Sequence, residues 1–197
     1  MFYWPGFIFF WIFYKIFLRL ESFGRENIPR KGGYLIASNH LSNLDPMIIG
    51  IAAGRKISFM AKDSLFKNCF FGFILRGVMA FPVRRGSLDV STVKEAVRRL
   101  KTGGLVVFPQ GTRRTIDFDL KGIKSGVGLL AAKADVPIVP AFINGSDKAM
   151  PPGAKFIRPA KTFVRFGKPI RVGKDLSYEE TALKVMTEIK QLSQQEA

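Results

Sequence analysis

The sequence predicts an α/β fold, a mostly parallel central sheet flanked by helices, with an apolar membrane-anchoring helix at the N-terminus. Three observations lead there. Beyond Gly33, short apolar runs of strand length alternate with longer stretches of helical period, the pattern of strands joined by crossover helices. Polar clusters recur where those runs give way to helices, which is where open parallel sheets hold ligands. The first 20 residues carry only two charges.

Those residues, "MFYWPGFIFFWIFYKIFLRL", have no charge before Lys15 and nine aromatic residues among the first fourteen. A signal peptide needs a basic start and small residues at a cleavage site, and neither is present. From Phe7 to Leu20 the run is apolar on nearly every face, so a helix here is expected to be buried in lipid or protein. At about 1.5 Å per residue, Pro5 to Leu20 would span roughly 24 Å, against about 30 Å for a hydrocarbon core. Residues 1–24 are therefore read as a membrane-embedded anchor that need not cross, and 25–197 as one further domain, expected on the cytoplasmic face from the basic residues that follow the anchor. "GRENIPRKGG" reads as a polar linker. Strands are predicted at 34–39, 56–61, 77–83, 104–109, 137–143 and 161–167, and helices after Asp45, Asp63, Ser87, Lys124 and Ser177. Ser177 and Glu180 form a capping-box pattern, and Gly103-Gly104 ends the helix that precedes them.

Lys plus Arg number 31 against 15 Asp plus Glu, a net charge of +16, which implies an anionic partner: nucleic acid, anionic lipid or a phosphorylated substrate. Nucleic acid is disfavoured, because the aromatic residues cluster in the anchor and the apparent core instead of interleaving with a basic face. The single cysteine, Cys69, rules out an intrachain disulfide and a cysteine metal cluster, and within "NCFFGFIL" it is expected to be a small buried residue.

"SNHLSNLDP", residues 38–46, holds the only histidine and sits where the first core strand meets its helix. Asp45 before Pro46 reads as an N-cap followed by a first-turn proline. An imidazole whose Nδ1–H is held by a carboxylate keeps Nε2 as an acceptor, ready to take a proton from a hydroxyl. No GxSxG elbow supplies an enzyme nucleophile, although Ser38 and Ser42 lie nearby. The pair therefore suits direct acyl transfer, in which the acceptor hydroxyl itself attacks. Lys62, Arg84, Arg85, Arg113 and Arg114 gather at other strand ends, where such forks favour phosphate oxygens. No GxxxxGK[ST] loop is present, and one histidine without a cysteine cluster makes a metal site unexpected; no cofactor is called for.

Four motifs in order over about residues 34–143 make the chain resemble the 1-acylglycerol-3-phosphate (lysophosphatidic acid) acyltransferases of the glycerophospholipid acyltransferase superfamily. NHxxxxD runs from Asn39-His40 to Asp45. "AFPVRRG" contains Arg85, "FPQGTR" spans 108–113, and "VPIVPAFI" spans 136–143, while "FMAKDSL" matches the segment with a substrate-binding lysine, here Lys62. The resemblance implies that His40 is a general base oriented by Asp45. It implies that Lys62, Arg85 and Arg113 bind the acceptor phosphate, and that Gly111 and Thr112 shape the pocket with Gln110. Gln110 stands where the family usually has Glu; an amide keeps hydrogen bonding but not the charge. The implied reaction moves a fatty acyl group from an acyl-CoA or acyl carrier protein thioester to lysophosphatidic acid, giving phosphatidic acid at a membrane with anionic lipids. The rival expectations are another acceptor (glycerol-3-phosphate, another lysophospholipid or a lyso-aminolipid) and a non-catalytic lipid binder.

Overall fold

Alternation along each strand sends side chains to two opposite faces. In β2 (Tyr34–Ser38), Tyr34 and Ile36 join one buried cluster while Leu35 and Ala37 join another. The split recurs in β5 (Gly104–Val107), with Val106 against Leu105, and in β6 (Ile138–Asn144), with Val139 and Ala141 against Ile138 and Phe142. Strands buried on both faces read as continuous apolar runs and need helices on each side. The structure, a computed structural model, describes residues 12–83, 89–113, 122–173 and 175–195. The first face is covered by α1 (12–17) and α2 (Asp45–Ala53), with partial cover from α3 (Cys69–Gly77). The second is covered by α4 (Val90–Leu100), α5 (Gly126–Ala134) and α7 (Tyr178–Gln194); α6 (Ser146–Ala149) is a single turn.

With β1 (Glu21–Phe23), β3 (Ile57–Lys62), β4 (Ala80–Val83) and β7 (Phe163–Phe166), the seven strands lie in the order β1-β7-β6-β2-β5-β3-β4. The five from β6 to β4 are mutually parallel; β7 pairs antiparallel to β6 and carries β1 parallel to itself. The carboxyl ends of β2, β5 and β3 therefore lie side by side on one edge.

All six strands read from the sequence form, and a helix follows each of the five expected starts; the one after Asp63 begins as a 3-10 turn (Asp63–Phe66) before α3, and two of the five carry side-chain caps. The Ser177 hydroxyl accepts from the Glu180 N–H at 3.2 Å, and the Glu180 carboxylate accepts from the Ser177 N–H at 2.8 Å, closing the expected box. The helix expected after Ser87 is capped by Asp89, whose carboxylate accepts from the Thr92 N–H at 2.7 Å.

Several details differ from the sequence reading. β1 went unread, because three residues are too few to show a period. The N-terminal helix stops at Phe17 rather than running to Leu20: Arg19 takes a positive φ of 44° to turn the chain into β1. Leu44, not Asp45, is the N-cap of α2, and Asp45 is its first residue. Cys69 is exposed, because α3 turns Gly72 and Leu75 inward instead. Tyr14, Leu18 and Leu20 are buried in the first core cluster, whereas Ile12 and Ile16 face outward. Residues 1–11, which hold most of the predicted anchor, lie outside the described residues. Among the described residues no helix is long and apolar enough to cross a membrane.

Candidate active site

β2 ends at Ser38, and the loop that follows is held on both sides before α2 begins. The Asn39 amide donates to the Ile143 carbonyl at 2.9 Å, and its Oδ1 accepts from the Ile143 N–H at 2.9 Å. Asn39 thus imitates one more backbone pair between β2 and β6. The Ser42 hydroxyl donates to the Met150 carbonyl at 2.8 Å. Ser38 bonds weakly to Asn39, at 3.4 Å, so neither serine is paired with the histidine.

Within this loop His40 Nδ1 lies 2.7 Å from Asp45 Oδ2. The same oxygen accepts from the Leu41 N–H at 2.6 Å and the Ser42 N–H at 2.8 Å. The anchoring groups are those of the loop before the helix, and not the helix N–H groups that an N-cap would have used. An ionised carboxylate only accepts, so Nδ1 carries the proton and Nε2 keeps its lone pair. The Asp45 side chain is 0% exposed and that of His40 18%, so the carboxylate is sealed in the core while part of the imidazole reaches the surface. Asp45 Oδ1 is buried with no hydrogen-bond partner among the described residues. Behind it, Tyr14 from α1 packs in the same core cluster as Ile48 and Ile49. Burial raises the Tyr14 phenol above its ordinary pKa, and the negative charge of Asp45 adds to the rise.

β5, the neighbour of β2, delivers the next group. The Phe108 ring stacks on the His40 imidazole at 4.0 Å between centroids and 17° between planes, which fixes the ring from the side. The turn after it is closed by the Gly111 N–H donating to the Phe108 carbonyl at 2.9 Å. Gly111 needs its missing side chain twice over. Its φ is 67°, and a Cβ would sit 2.9 Å from Lys124 Cε. Gln110 is buried, Gly111 and Thr112 are exposed and Arg113 is partly buried. Lys62 is exposed at the end of β3, the next strand along.

His40, Asp45, Lys62, Gln110, Gly111, Thr112 and Arg113 are thus carried on three adjacent strand ends. Arg85, with Arg84 and Arg114, lies outside the described residues. Sequence reasoning missed the bracing by Asn39 and Ser42, the Phe108 stack, and Lys124 lying over Gly111. Asn39 alone had a usable signal: an amide at the end of an apolar strand has to find polar partners once buried. Among the described residues no group of His, Cys, Asp and Glu could hold a metal ion.

The sequence matches the family model described as Acyltransferase over residues 19–144. It is 32% identical over 162 residues to the 1-acyl-sn-glycerol-3-phosphate acyltransferase of Bacillus subtilis (strain 168), covering 79% of this chain and 78% of that one. The chain belongs to this acyltransferase family. The acyltransferase is also 30% identical over 180 residues to the 1-acyl-sn-glycerol-3-phosphate acyltransferase of Streptococcus pneumoniae (strain ATCC BAA-255 / R6), covering 86% of this chain and 64% of that one. Its fold is that of the crystal structure of the 1-acyl-sn-glycerophosphate acyltransferase PlsC from Thermotoga maritima. The TM-score is 0.79 at 24% identity, over 98% of this chain and 80% of that one. In the acyltransferase, the matched segment takes in the bracing loop, the His40–Asp45 pair and the Phe108 turn.

Proposed function

We propose that the protein transfers a fatty acyl group from an acyl thioester to the free hydroxyl of lysophosphatidic acid, forming phosphatidic acid. The observation that carries this reading is the 2.7 Å contact between His40 Nδ1 and a fully buried Asp45, which leaves Nε2 as the ring's acceptor on a partly exposed side chain. Nε2 takes the proton of the acceptor hydroxyl as its oxygen attacks the thioester carbonyl. The carbon–oxygen bond forms, the carbon–sulfur bond breaks, and the imidazolium returns the proton to the departing thiolate. Asp45 holds the imidazole in the required tautomer and stabilises its transient charge. No covalent acyl-enzyme is needed, which agrees with Ser38 and Ser42 being engaged elsewhere.

Lys62 and Arg113 bind the acceptor phosphate, joined by Arg85, and Gln110, Gly111 and Thr112 shape the turn beside it. The donor thioester is borne by coenzyme A or acyl carrier protein. The N-terminal segment anchors the protein to a membrane with anionic lipids, on the cytoplasmic face. Support for the last point is chemical: its aromatic, nearly uncharged run is followed by a strongly basic chain.

Purified protein assayed with labelled acyl-CoA and acyl carrier protein, against lysophosphatidic acid, glycerol-3-phosphate and other lysophospholipids, tests the reading. Labelled phosphatidic acid is the expected product. Transfer to another acceptor with none to lysophosphatidic acid would overturn the substrate assignment, and no transfer at all would overturn the activity.

A further inference from the structure

The stretch from Lys62 to Gly77 departs from the inside-out order of the rest of the fold. α3 turns Gly72 and Leu75 inward. A Cβ on Gly72 would lie 3.0 Å from the Phe66 carbonyl oxygen, and Leu75 packs with Phe66 and Val78 on the first core face. The opposite side of the helix carries Cys69, Phe70, Phe73 and Ile74 at helical spacing, with Leu65 on the turn before it. Phe73 is 74% exposed, Leu65 48% and Ile74 40%; Phe70 is exposed as well. Each such side chain left in water forgoes stabilisation that burial of its apolar surface would give. A contiguous row of them on one short helix marks a surface that meets something apolar.

The surrounding charge identifies the partner. Lys62 and Lys67 precede the row and Arg76 follows it, all exposed, against one acid, Asp63. None of the three cations forms an ion pair among the described residues. Apolar and aromatic side chains bordered by cations suit the interface of an anionic bilayer, where rings sit at headgroup depth and ammonium groups reach phosphates. A second copy of this chain, itself at +16, would be repelled by the same cations.

We propose that α3, with the turn before it, is an interfacial docking helix that lies in the plane of an anionic bilayer, separately from the N-terminal segment. Seated in this way it turns the end of β3 toward the headgroups, and with it the edge that carries His40. The proposal rests on the lysophosphatidic acid reading only for the reason a bilayer is met.

Cys69 is the only cysteine in the chain and lies exposed on this helix, so the full-length protein carries its own labelling site. An environment-sensitive fluorophore on Cys69 should shift to the blue with phosphatidylcholine vesicles containing phosphatidylglycerol, and be quenched by lipid-borne quenchers. The shift should be weaker with pure phosphatidylcholine or at high salt. The variant F73D/I74D, checked for folding by its melting transition, should need at least about tenfold more lipid for the same shift. A label that stays at its aqueous wavelength while the protein sediments with vesicles would overturn the proposal. So would a label already blue without lipid and unmoved by it, or a folded F73D/I74D that inserts like the parent. Acyl transfer is measured separately. Insertion by an inactive protein sinks the proposed reaction alone, and an active protein whose label stays in water sinks the docking helix alone.

Discussion

Asp45 Oδ2 serves three donors at once: the imidazole and two loop N–H groups, all within 2.8 Å. Orientation of the imidazole and folding of the loop therefore depend on the same atom, and substitutions can separate them. His40→Ala removes the proposed base but leaves both N–H partners, so turnover should be abolished while the melting temperature stays near that of the parent. A folded variant with normal turnover would sink the base assignment. Asp45→Asn keeps an acceptor for the loop but no longer fixes the tautomer, and turnover should fall by about 10³–10⁴-fold with a small loss of stability. Asn39 acts one step further back, since its amide satisfies both polar groups of Ile143. Asn39→Ala strands a buried N–H and a buried carbonyl, at about 1–3 kcal/mol for each group. Denaturant midpoints should show that cost, with turnover lowered and the apparent pKa of the pH–rate profile unmoved.

At the scale of elements, α4 is tied to the sheet through Arg99. Its guanidinium donates to the Ser58 hydroxyl at 3.1 Å and the Met79 carbonyl at 3.0 Å, and lies 4.6 Å over the Phe81 ring. Glu95, one turn back, accepts from Arg98 and Arg99 at 2.7–2.8 Å. The hydrogen bond from Arg98, followed by that from Arg99, lowers the Glu95 carboxyl to about 2. A carboxyl depressed on folding stabilises the protein above its unfolded value and loses that stabilisation as pH falls through the folded one. Glu95→Gln should therefore cost about 1 kcal/mol at neutral pH, as expected for a partly exposed pair. The difference should shrink from about pH 4.5 down to about pH 2. Unfolding curves of parent and variant across that range check it; a gap that persists at the acid end would show that packing, not charge, was lost.

For the whole molecule, sheet order decides which chain segments meet. β2, β5 and β3 are neighbours although they are the second, fifth and third strands in sequence. At about 4.8 Å between strands, Lys62 starts roughly 10 Å from the His40 loop, with the Gly111 turn between them. A headgroup held at Lys62 can thus present its hydroxyl to Nε2. Lys62→Ala should raise the KM for lysophosphatidic acid about tenfold or more and leave the KM for the thioester nearly unchanged. Steady-state kinetics with each substrate varied in turn measures both, and equal effects would exclude a headgroup role.

Much of this was legible in the chain itself. Six strands showed as apolar runs, α7 showed its capping box, and the lone histidine with an aspartate five residues on named a pair that the fold brings to 2.7 Å, because those signals are local. Tertiary structure alone decided the rest. Nothing in the sequence said that three residues at 21–23 would join the sheet, or that Asp45 would be braced by the loop instead of the helix. Nor did it say that Phe108 would stack on the imidazole, or that Cys69 and Phe73 would face outward. Each of these depends on which surfaces lie opposite once distant strands pair. Periodicity shows that a segment has an apolar face, and only packing determines what that face meets.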